Sequence, residues 1–305
     1  MNSQSITHTP VLPIQFLEFM NINPDGTYVD ATFGRGGHSQ LVLSKLSQKG
    51  RVIAFDRDLD AIACAERLAE IDSRLQIIDS EFSAIPSIVP QIQKEVDGVF
   101  FDLGVSSPQL EDSSRGFSFR YDGPLDMRMN QRKGPTAEYW INSASQREIA
   151  EVLWNFGEER NSRKIAKRIV TQRRKKAIKT TTELANIIRS SSYSGFKLDA
   201  ATRSFQAIRI FLNEELIELQ KILDSVLGIL SKGGRLLVIS FHSLEDRLVK
   251  RRFRELSRPD RDVIGNVSSP VYKLLTKKPV TASEEEIRLN RRSRSARLRA
   301  LESLL

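Results

Sequence analysis

The first third of the chain alternates short apolar runs with helical patterns, and this alternation constrains the fold more than any other feature of the sequence. Strands are predicted at residues 27–30, 51–56, 75–79 and 96–103, and helices at residues 38–46, 59–71 and 85–92. Strands that alternate with helices indicate an α/β fold with a parallel sheet and crossover helices. Ligands of such sheets bind beyond the carboxyl ends of the strands.

The pattern changes after residue 106. Residues 106–126 are polar, rich in glycine and typical of a loop, and helices are predicted at residues 144–154, 162–174, 182–189 and 206–230. A further strand is predicted at residues 235–241, and the arginine-rich tail from residue 283 is predicted to be a basic helix. We therefore expect a sheet domain in two parts, residues 1–112 and 211–305, and a helical insertion at residues 113–210.

Composition limits the classes of function. The chain of 305 residues contains no run of 18 apolar residues, so no membrane span is expected, and its polar N-terminus indicates a cytoplasmic protein. Cys64 is the only cysteine and the three histidines lie far apart, so we expect neither a disulfide nor a metal site. The formal net charge is +9, and the basic residues concentrate at 160–179, at 250–261 and in the tail. Such clusters favour contact with nucleic-acid phosphates, although a solvated basic surface is the alternative.

A glycine-rich turn follows the first predicted strand, at residues 30–38. Gly34, Gly36 and Gly37 permit positive φ angles and the close approach of a ligand to the backbone. The helix after the turn offers unpaired N–H groups to ligand oxygens. Asp56, at the end of the second predicted strand, could accept hydrogen bonds from both hydroxyls of a ribose, and a helix N-cap is the alternative. Together these features indicate a cofactor site.

Two cofactors fit this arrangement, a dinucleotide and S-adenosylmethionine. The dinucleotide fingerprint Gly-x-Gly-x-x-Gly fails at Ser39, where the last glycine is missing. Asp30, which ends the first predicted strand, could lie near the amino and carboxylate end of S-adenosylmethionine and therefore favours the methyl donor. Phe82, after the third predicted strand, could pack on the adenine edge or serve as a core aromatic.

The fourth predicted strand ends near Asp102 and runs into a Ser-Ser-Pro-Gln segment. The exocyclic amine of a base is a poor nucleophile, and an acceptor for its N–H hydrogens would stabilise the charge that develops during methylation. We expect Asp102 to polarise such an amine and Ser106, Ser107 and Pro108 to form the pocket wall; a helix cap and an ordinary turn are the alternatives. Cys64 lies inside a predicted helix, which argues against carbon methylation through a thiolate.

The Ser-Pro-Gln residues at 107–109 are loosely similar to the Ser/Asn/Asp-Pro-Pro-aromatic signature of amino-methyltransferases. The second proline and the stacking aromatic are missing, so a base would have to stack on another ring. Phe117, Phe119 and Tyr121 are the candidates in the following loop, because flipped and single-stranded bases require such stacking.

Seven segments of the chain carry a family resemblance. They are Asp-Ala-Thr-Phe-Gly-Arg-Gly-Gly-His at 30–38, Asp-Leu-Gly-Val-Ser-Ser-Pro-Gln-Leu at 102–110, Arg-Gly-Phe-Ser-Phe at 115–119, Asp-Gly-Pro-Leu-Asp-Met-Arg-Met at 122–129, Gly-Glu-Glu-Arg at 157–160, Thr-Arg-Ser-Phe-Gln-Ala-Ile-Arg at 202–209 and Ser-Phe-His-Ser-Leu-Glu-Asp-Arg at 240–247. In their order and over essentially the whole chain they resemble the bacterial RsmH family, also called MraW.

The resemblance implies a class I (Rossmann-like) S-adenosylmethionine-dependent methyltransferase sheet with an inserted helical subdomain. It implies methylation of the N4 amine of a cytidine in the decoding region of 16S ribosomal RNA, which makes this RNA, within the small ribosomal subunit, the expected partner. By the same resemblance the methyl donor is held by residues around the strand ends: Gly36, Gly37, His38, Asp56, Phe82, Asp102 and Gln109.

We expect the insertion to recognise the RNA substrate. The residues expected to contact RNA are aromatic and basic: Phe117, Phe119, Arg173, Arg174, Arg203 and Arg209. Two alternatives from other classes are a nucleic-acid-binding module with a vestigial donor pocket and a nicotinamide-dependent oxidoreductase. The intact glycines at 36 and 37 and acids at 56 and 102 disfavour the first, and the glycine spacing and the basic surface disfavour the second. The sequence leaves the oligomeric state open between a monomer and a homodimer.

Overall fold

The computed structural model describes residues 10–191, 199–259 and 269–305. Its chain divides into two compact units. The sheet unit combines the residues up to Gly104 with Ile217–Leu305, and the insertion unit is Val105–Leu216. Among the described residues, none of the helices combines the length and the apolar character that crossing a bilayer requires.

The amino-terminal part of the sheet unit alternates strands and helices, as the sequence predicts. The helices are α1 (Pro13–Met20), α2 (Gly37–Leu43), α3 (Leu59–Ile71) and α4 (Ile85–Ile92), and the strands are β1 (Thr27–Asp30), β2 (Arg51–Asp56), β3 (Leu75–Asp79) and β4 (Val96–Asp102). Each of these four strands ends in an aspartate. Because the strands are parallel, their carboxylates lie along one edge of the sheet.

The insertion unit is helical. Its helices are α5 (Ser107–Glu111), α6 (Ala137–Ser143), α7 (Gln146–Gly157), α8 (Ser162–Arg173), α9 (Thr181–Arg189) and α10 (Ala200–Leu212). Side-chain caps at Thr136, Ser145 and Thr180 fix the starts of α6, α7 and α9, because each oxygen accepts a backbone N–H of the first turn. The unit has its own buried core, built from one apolar face of each long helix.

The chain returns to the sheet unit through α11 (Glu215–Ser225) and continues with β5 (Leu230–Ser240), α12 (Ser243–Leu256), β6 (Tyr272–Leu274), α13 (Glu284–Leu289) and β7 (Arg297–Ser303). Within the described residues the sheet has seven strands, in the order β3-β2-β1-β4-β5-β7-β6. Strand β5 is parallel to β4, whereas β7 runs antiparallel to both β5 and β6. The parallel α/β fold expected from the sequence is thereby confirmed.

Alternate residues of the strands face two separate cores, one on each side of the sheet. Val29 and Val99 pack into the core that contains α4, α11 and α12. Tyr28 and Phe100 face the other core, with α1, α2 and α3. The near-continuous apolar runs of these strands are therefore explained by burial on both faces.

Two predicted elements are wrong. The helix predicted at residues 206–230 is broken after α10, where Asn213 donates its side-chain amide to the carbonyls of Arg209 and Met127 and Glu214 takes a positive φ of 52°. The tail predicted as a basic helix from residue 283 instead forms the short α13, a 3₁₀ turn and strand β7. In β7 Leu298, Ala300 and Leu301 are buried beside the equally buried Arg299, and the high arginine content of the tail hid this strand.

Candidate active site

The glycine turn after β1 depends on glycine at Gly36. This residue precedes α2 with a φ of 73°, and a Cβ added to it would lie 2.5 Å from a ring carbon of Phe33. Gly34 also has a positive φ, of 56°, and its N–H donates to Oδ2 of Asp56 at 2.8 Å. Gly37 is the first residue of α2. A side chain at position 36 would therefore both strain the backbone and displace the ring.

Asp30 stabilises the glycine turn through two hydrogen bonds. Its side chain is buried, with Oδ2 accepting from the Ser39 hydroxyl at 2.6 Å and Oδ1 accepting from the Thr32 N–H at 3.0 Å. Burial raises the pKa of Asp30 to about 7, against the lowering effect of these two hydrogen bonds. Both oxygens are thus engaged inside the protein, and the carboxyl group acts as part of the framework of the turn.

Asp56 connects the ends of β1 and β2. Besides the bond from Gly34, its Oδ1 accepts the N–H groups of Arg57 and Asp58 at 2.8 and 2.9 Å. Burial raises the pKa of Asp56, and the backbone donors oppose this rise. The N-cap of α3 is Asp58, whose side chain accepts from the N–H of Asp60, so the alternative reading of Asp56 as the helix cap is wrong.

His38 lies in α2 with its ring buried. Nε2 lies 3.0 Å from the carbonyl oxygen of Val11 and donates a hydrogen bond to it. In the neutral ring the proton is therefore on Nε2. Nδ1 lies 3.5 Å from Oδ2 of Asp102. Burial lowers the pKa of His38, but the interactions with Asp102 and the charge of Asp30 outweigh it, and the net pKa is raised. The two acids therefore favour the protonated ring more than water does.

Asp102 is the last residue of β4 and contacts both Thr32 and His38. Its N–H donates to the Thr32 hydroxyl at 2.7 Å, and its Oδ2 faces His38. Its Oδ1 is buried and has no hydrogen-bond partner among the described residues. The structure thus brings the glycine turn, His38, Asp56 and Asp102 together at the carboxyl edge of the sheet, and Asp102 is not a helix cap.

Phe82 begins a 3₁₀ turn after β3. One side of its ring packs edge-on against the core residue Phe101, with 5.6 Å between ring centroids, and the side chain is half-buried. The ring packs partly against the core, and its contact with the adenine stays a prediction.

Ser106 and Gln109 lie in the insertion unit and form a capping box at the start of α5. The Ser106 N–H donates to Oε1 of Gln109 at 2.8 Å, and the Gln109 N–H donates to the Ser106 hydroxyl at 3.4 Å. Ser107 and Pro108 form the first turn of the same helix. The segment predicted as a loop therefore contains a helix start, and the functional roles predicted for its four residues stay predictions.

The two aromatic residues expected to contact RNA are packed within the insertion unit. Phe117 is only 6% exposed and belongs to the core, with the Arg115 guanidinium 5.7 Å from its ring centroid. Phe119 is half-buried, packs edge-on against Phe205 at 4.8 Å and lies under the Arg189 guanidinium at 5.3 Å. Of the three rings considered from the sequence, Tyr121 is the exposed one.

The four arginines expected to contact RNA differ in their surroundings. Arg209 forms a bidentate ion pair with Glu215, with Nε 2.8 Å from Oε1 and Nη2 2.9 Å from Oε2. Arg173 donates to the carbonyl of Ile141 at 2.6 Å, and burial lowers its pKa. Arg174 and Arg203 are exposed. Exposure leaves these last two best able to contact a phosphate, whereas the first two also hold the insertion unit together.

Sequence reasoning gave no role to His242 and Glu245, which follow β5. They form the capping box of α12: Nδ1 of His242 accepts the Glu245 N–H, and Oε2 of Glu245 accepts the His242 N–H at 3.4 Å and also the Phe241 N–H at 2.9 Å. Because Asp102 is paired with Ile239 in the β4–β5 register, this group lies beside the end of β4. Its position after the predicted strand at 235–241 was the signal that could have identified it.

Comparison with known proteins places the chain in a family. The model of the MraW methylase family matches residues 5–304. The ribosomal RNA small subunit methyltransferase H of Chromobacterium violaceum is 47% identical over 98% of this chain and 96% of the relative. The protein of the same name from Coxiella burnetii is also 47% identical, over 97% of this chain and 99% of the relative.

Similarity to solved structures is weaker. TrmN from Thermus thermophilus shares 12% identity at a TM-score of 0.45, covering 96% of this chain and 48% of that one, and a likeness of this size adds nothing to the assignment. Membership of a methylase family supports S-adenosylmethionine, the cofactor expected from the sequence, as the methyl donor. The family match, the relatives and the class I arrangement of the sheet agree: the chain belongs to the MraW methylase family, as its sequence motifs predict.

Proposed function

We propose that the protein transfers a methyl group from S-adenosylmethionine to the N4 amine of a cytidine in the decoding region of 16S ribosomal RNA. Family membership supports methylation of small-subunit ribosomal RNA. The choice of an amine as the acceptor is supported by the chemistry of the group at the end of β4. An enzyme with this substrate acts in the cytoplasm.

The residues of the sheet unit fit the donor. The positive φ of Gly36 and the contact that a Cβ would make with the Phe33 ring explain why glycine occupies this position of the turn. We propose that this turn, with Gly37 and His38, holds the methionine moiety, that Asp56 accepts hydrogen bonds from the ribose hydroxyls, and that Phe82 packs against the adenine. Asp56 already accepts three backbone N–H groups, so its orientation is fixed before a ligand binds.

The buried Oδ1 of Asp102 is the single observation that carries the proposal for the acceptor. A buried carboxylate oxygen without a hydrogen-bond partner costs free energy, and a substrate N–H would supply the partner. We propose that this oxygen accepts a hydrogen bond from the exocyclic amine. Oδ2 of Asp102 faces His38, and the backbone N–H of Asp102 donates to the Thr32 hydroxyl. These two contacts restrict rotation of the carboxylate and keep Oδ1 in its position.

When bound, S-adenosylmethionine supplies an electrophilic methyl group: the N–C bond forms as the C–S bond breaks, and the sulfonium becomes a neutral thioether. The acceptor nitrogen becomes positively charged and then loses one proton. Asp102 stabilises this positive charge through the N–H bond that it accepts, and solvent takes the proton. His38 holds the carboxylate in place, and the edge of the sheet aligns the reactants for an in-line displacement.

The basic surplus supports the polyanionic substrate. The exposed Arg174 and Arg203 lie on the insertion unit, and the formal net charge of the chain is +9. We propose that these side chains contact RNA phosphates and orient the substrate without reading its sequence.

The test uses ribosomal RNA and small subunits from cells that lack this gene, incubated with purified protein and S-adenosylmethionine labelled in the methyl group. Mass spectrometry of the nucleosides is expected to show N4-methylcytidine at one position. The Asp102→Ala variant is expected to lose methyl transfer and to keep its affinity for RNA. Label on cytosine C5, on a ribose or on no nucleoside would contradict the proposal.

A further inference from the structure

His242 stands at the end of β5, next to the strand end that carries Asp102. Strands β4 and β5 are parallel neighbours in register, with Asp102 opposite Ile239, and such strands lie about 4.8 Å apart. The Leu103 N–H donates to the Ile239 carbonyl, which ties the two strand ends together just before His242. A side chain at position 242 is therefore close to the group that the proposed function places against the amine.

The hydrogen bonds of His242 fix its tautomer. Nδ1 accepts the backbone N–H of Glu245 at 3.4 Å, as the N-cap of α12. An imidazole nitrogen that accepts carries no proton, so the proton of the neutral ring is on Nε2. Serine, threonine, asparagine or aspartate would cap the helix as well or better. The ring differs from these shorter side chains in placing a donor nitrogen, Nε2, farther from the backbone than their donors reach.

That second nitrogen has no hydrogen-bond partner among the described residues. The His242 side chain is 9% exposed, and Nε2 is buried. Oε1 of Glu245 lies 3.1 Å from Nε2, but off the direction in which the N–H points, so the contact is electrostatic only. Oε2 of the same carboxylate is held by the N–H groups of Phe241 and His242. Glu245 thus holds the ring in place without using its donor.

We propose that the Nε2–H of His242 donates a hydrogen bond to N3 of the target cytosine, so that His242 and Asp102 together select cytosine over uracil; this inference rests on the proposed function. Cytosine presents an N–H donor at N4 and an acceptor at N3, whereas uracil presents an acceptor at O4 and a donor at N3. The acceptor Oδ1 of Asp102 and the donor Nε2 of His242 complement cytosine at both positions. With uracil, Oδ1 of Asp102 would face another acceptor, O4, and Nε2–H of His242 would face another donor, N3–H. Glu245 is the positioning residue.

The His242→Asn variant separates this role from helix capping. Asparagine is a good N-cap, and its Oδ1 can replace Nδ1 as the acceptor of the Glu245 N–H, but it has no group at the position of Nε2. The Ser283→Asn variant is the matched control, because it makes the same kind of exchange at the N-cap of α13 in the sheet unit. Both variants are expected to fold and to bind S-adenosylmethionine with the affinity of the wild type, measured by calorimetry.

The assay compares two small-subunit RNA substrates, one with cytidine at the methylated position and one with 3-deazacytidine, in which a C–H replaces N3. Wild-type protein and the Ser283→Asn control are expected to lose about 10- to 100-fold in kcat/KM with the analogue, since a buried donor is left without its partner. His242→Asn is expected to show that loss already with cytidine, and little further loss with the analogue.

An analogue penalty that is as large in His242→Asn as in the wild type would overturn the inference, because the ring would then not contact N3. A wild type that methylates both substrates equally would overturn it as well. These results leave cytidine methylation by the wild type intact, so they differ from failure of the proposed function, in which no N4-methylcytidine would form on the cytidine substrate.

Discussion

Replacement of Asp30 by asparagine should stabilise the sheet unit at high pH. Asp30 is 1% exposed, and burial raises its pKa from 3.8 to about 7 in the folded protein. Below about pH 4 the carboxyl group is protonated in both the folded and the unfolded state. As the pH rises to 7 the unfolded chain releases this proton first, so the folded state loses stability, and above pH 7 the loss is complete. A pKa difference of this size corresponds to roughly 4 kcal/mol.

Asparagine has the shape of the protonated acid and does not ionise. The Asp30→Asn variant and the wild type should therefore have similar free energies of unfolding at pH 4, and the variant should be more stable by up to about 4 kcal/mol at pH 8. Urea denaturation followed by circular dichroism measures the difference. Fluorescence is unsuitable, because both tryptophans, Trp140 and Trp154, lie in the insertion unit and do not report on the sheet.

Asp72→Asn is the control with the opposite sign. The ion pair with Arg74 lowers the pKa of Asp72, so this carboxylate stabilises the fold above its unfolded pKa and the contribution is lost as the pH falls. The Asp72→Asn variant should be less stable than the wild type at pH 8, and the gap should narrow in acid. If the gap between Asp30→Asn and the wild type did not widen from pH 4 to pH 8, the burial argument for Asp30 would be refuted.

Three other substitutions test the framework around the site. Gly36→Ala should cost about 1–2 kcal/mol from the positive φ alone and more from the ring contact, and calorimetry should show that it no longer binds S-adenosylmethionine. Asp246→Ala leaves the buried Arg299 without its carboxylate and should cost about 3–5 kcal/mol in urea denaturation, whereas Glu255→Ala, at an exposed carboxylate on the same helix, should change the stability far less. Arg174→Gln should reduce the slope of log affinity for RNA against log salt by about 1, and an unchanged slope would exclude a phosphate contact.

The strands before the insertion were predictable because their signals are local. Residues 27–30, 51–56 and 75–79 are strands in the structure as in the prediction, since each is a short apolar run between turn residues. Strand β7 was not predictable in this way. It depends on pairing with β5, about 60 residues away, and on the buried ion pair of Arg299 with Asp246. Neither contact can be recognised from the local residue pattern of the tail.

The candidate site was predictable where the fold dictates position. The acids at 56 and 102 follow from the rule that parallel strands present their carboxyl ends at one edge, and the glycine turn follows from its spacing. The environment of Phe117 was not predictable, because an aromatic residue in a polar segment can stack on a ligand or fill a core, and only the packing of the insertion unit decides this. The orphaned Oδ1 of Asp102 is likewise visible only in three dimensions.

A crystal structure of the protein with S-adenosylhomocysteine tests the central claim most directly. The account predicts that the ribose hydroxyls bond to Asp56, that the amino acid moiety lies against the turn at Gly36, and that the sulfur lies beyond the end of β4 beside Asp102. Density for the nucleoside among the helices α7–α10 of the insertion unit, with Asp56 bonded only to the backbone, would contradict it.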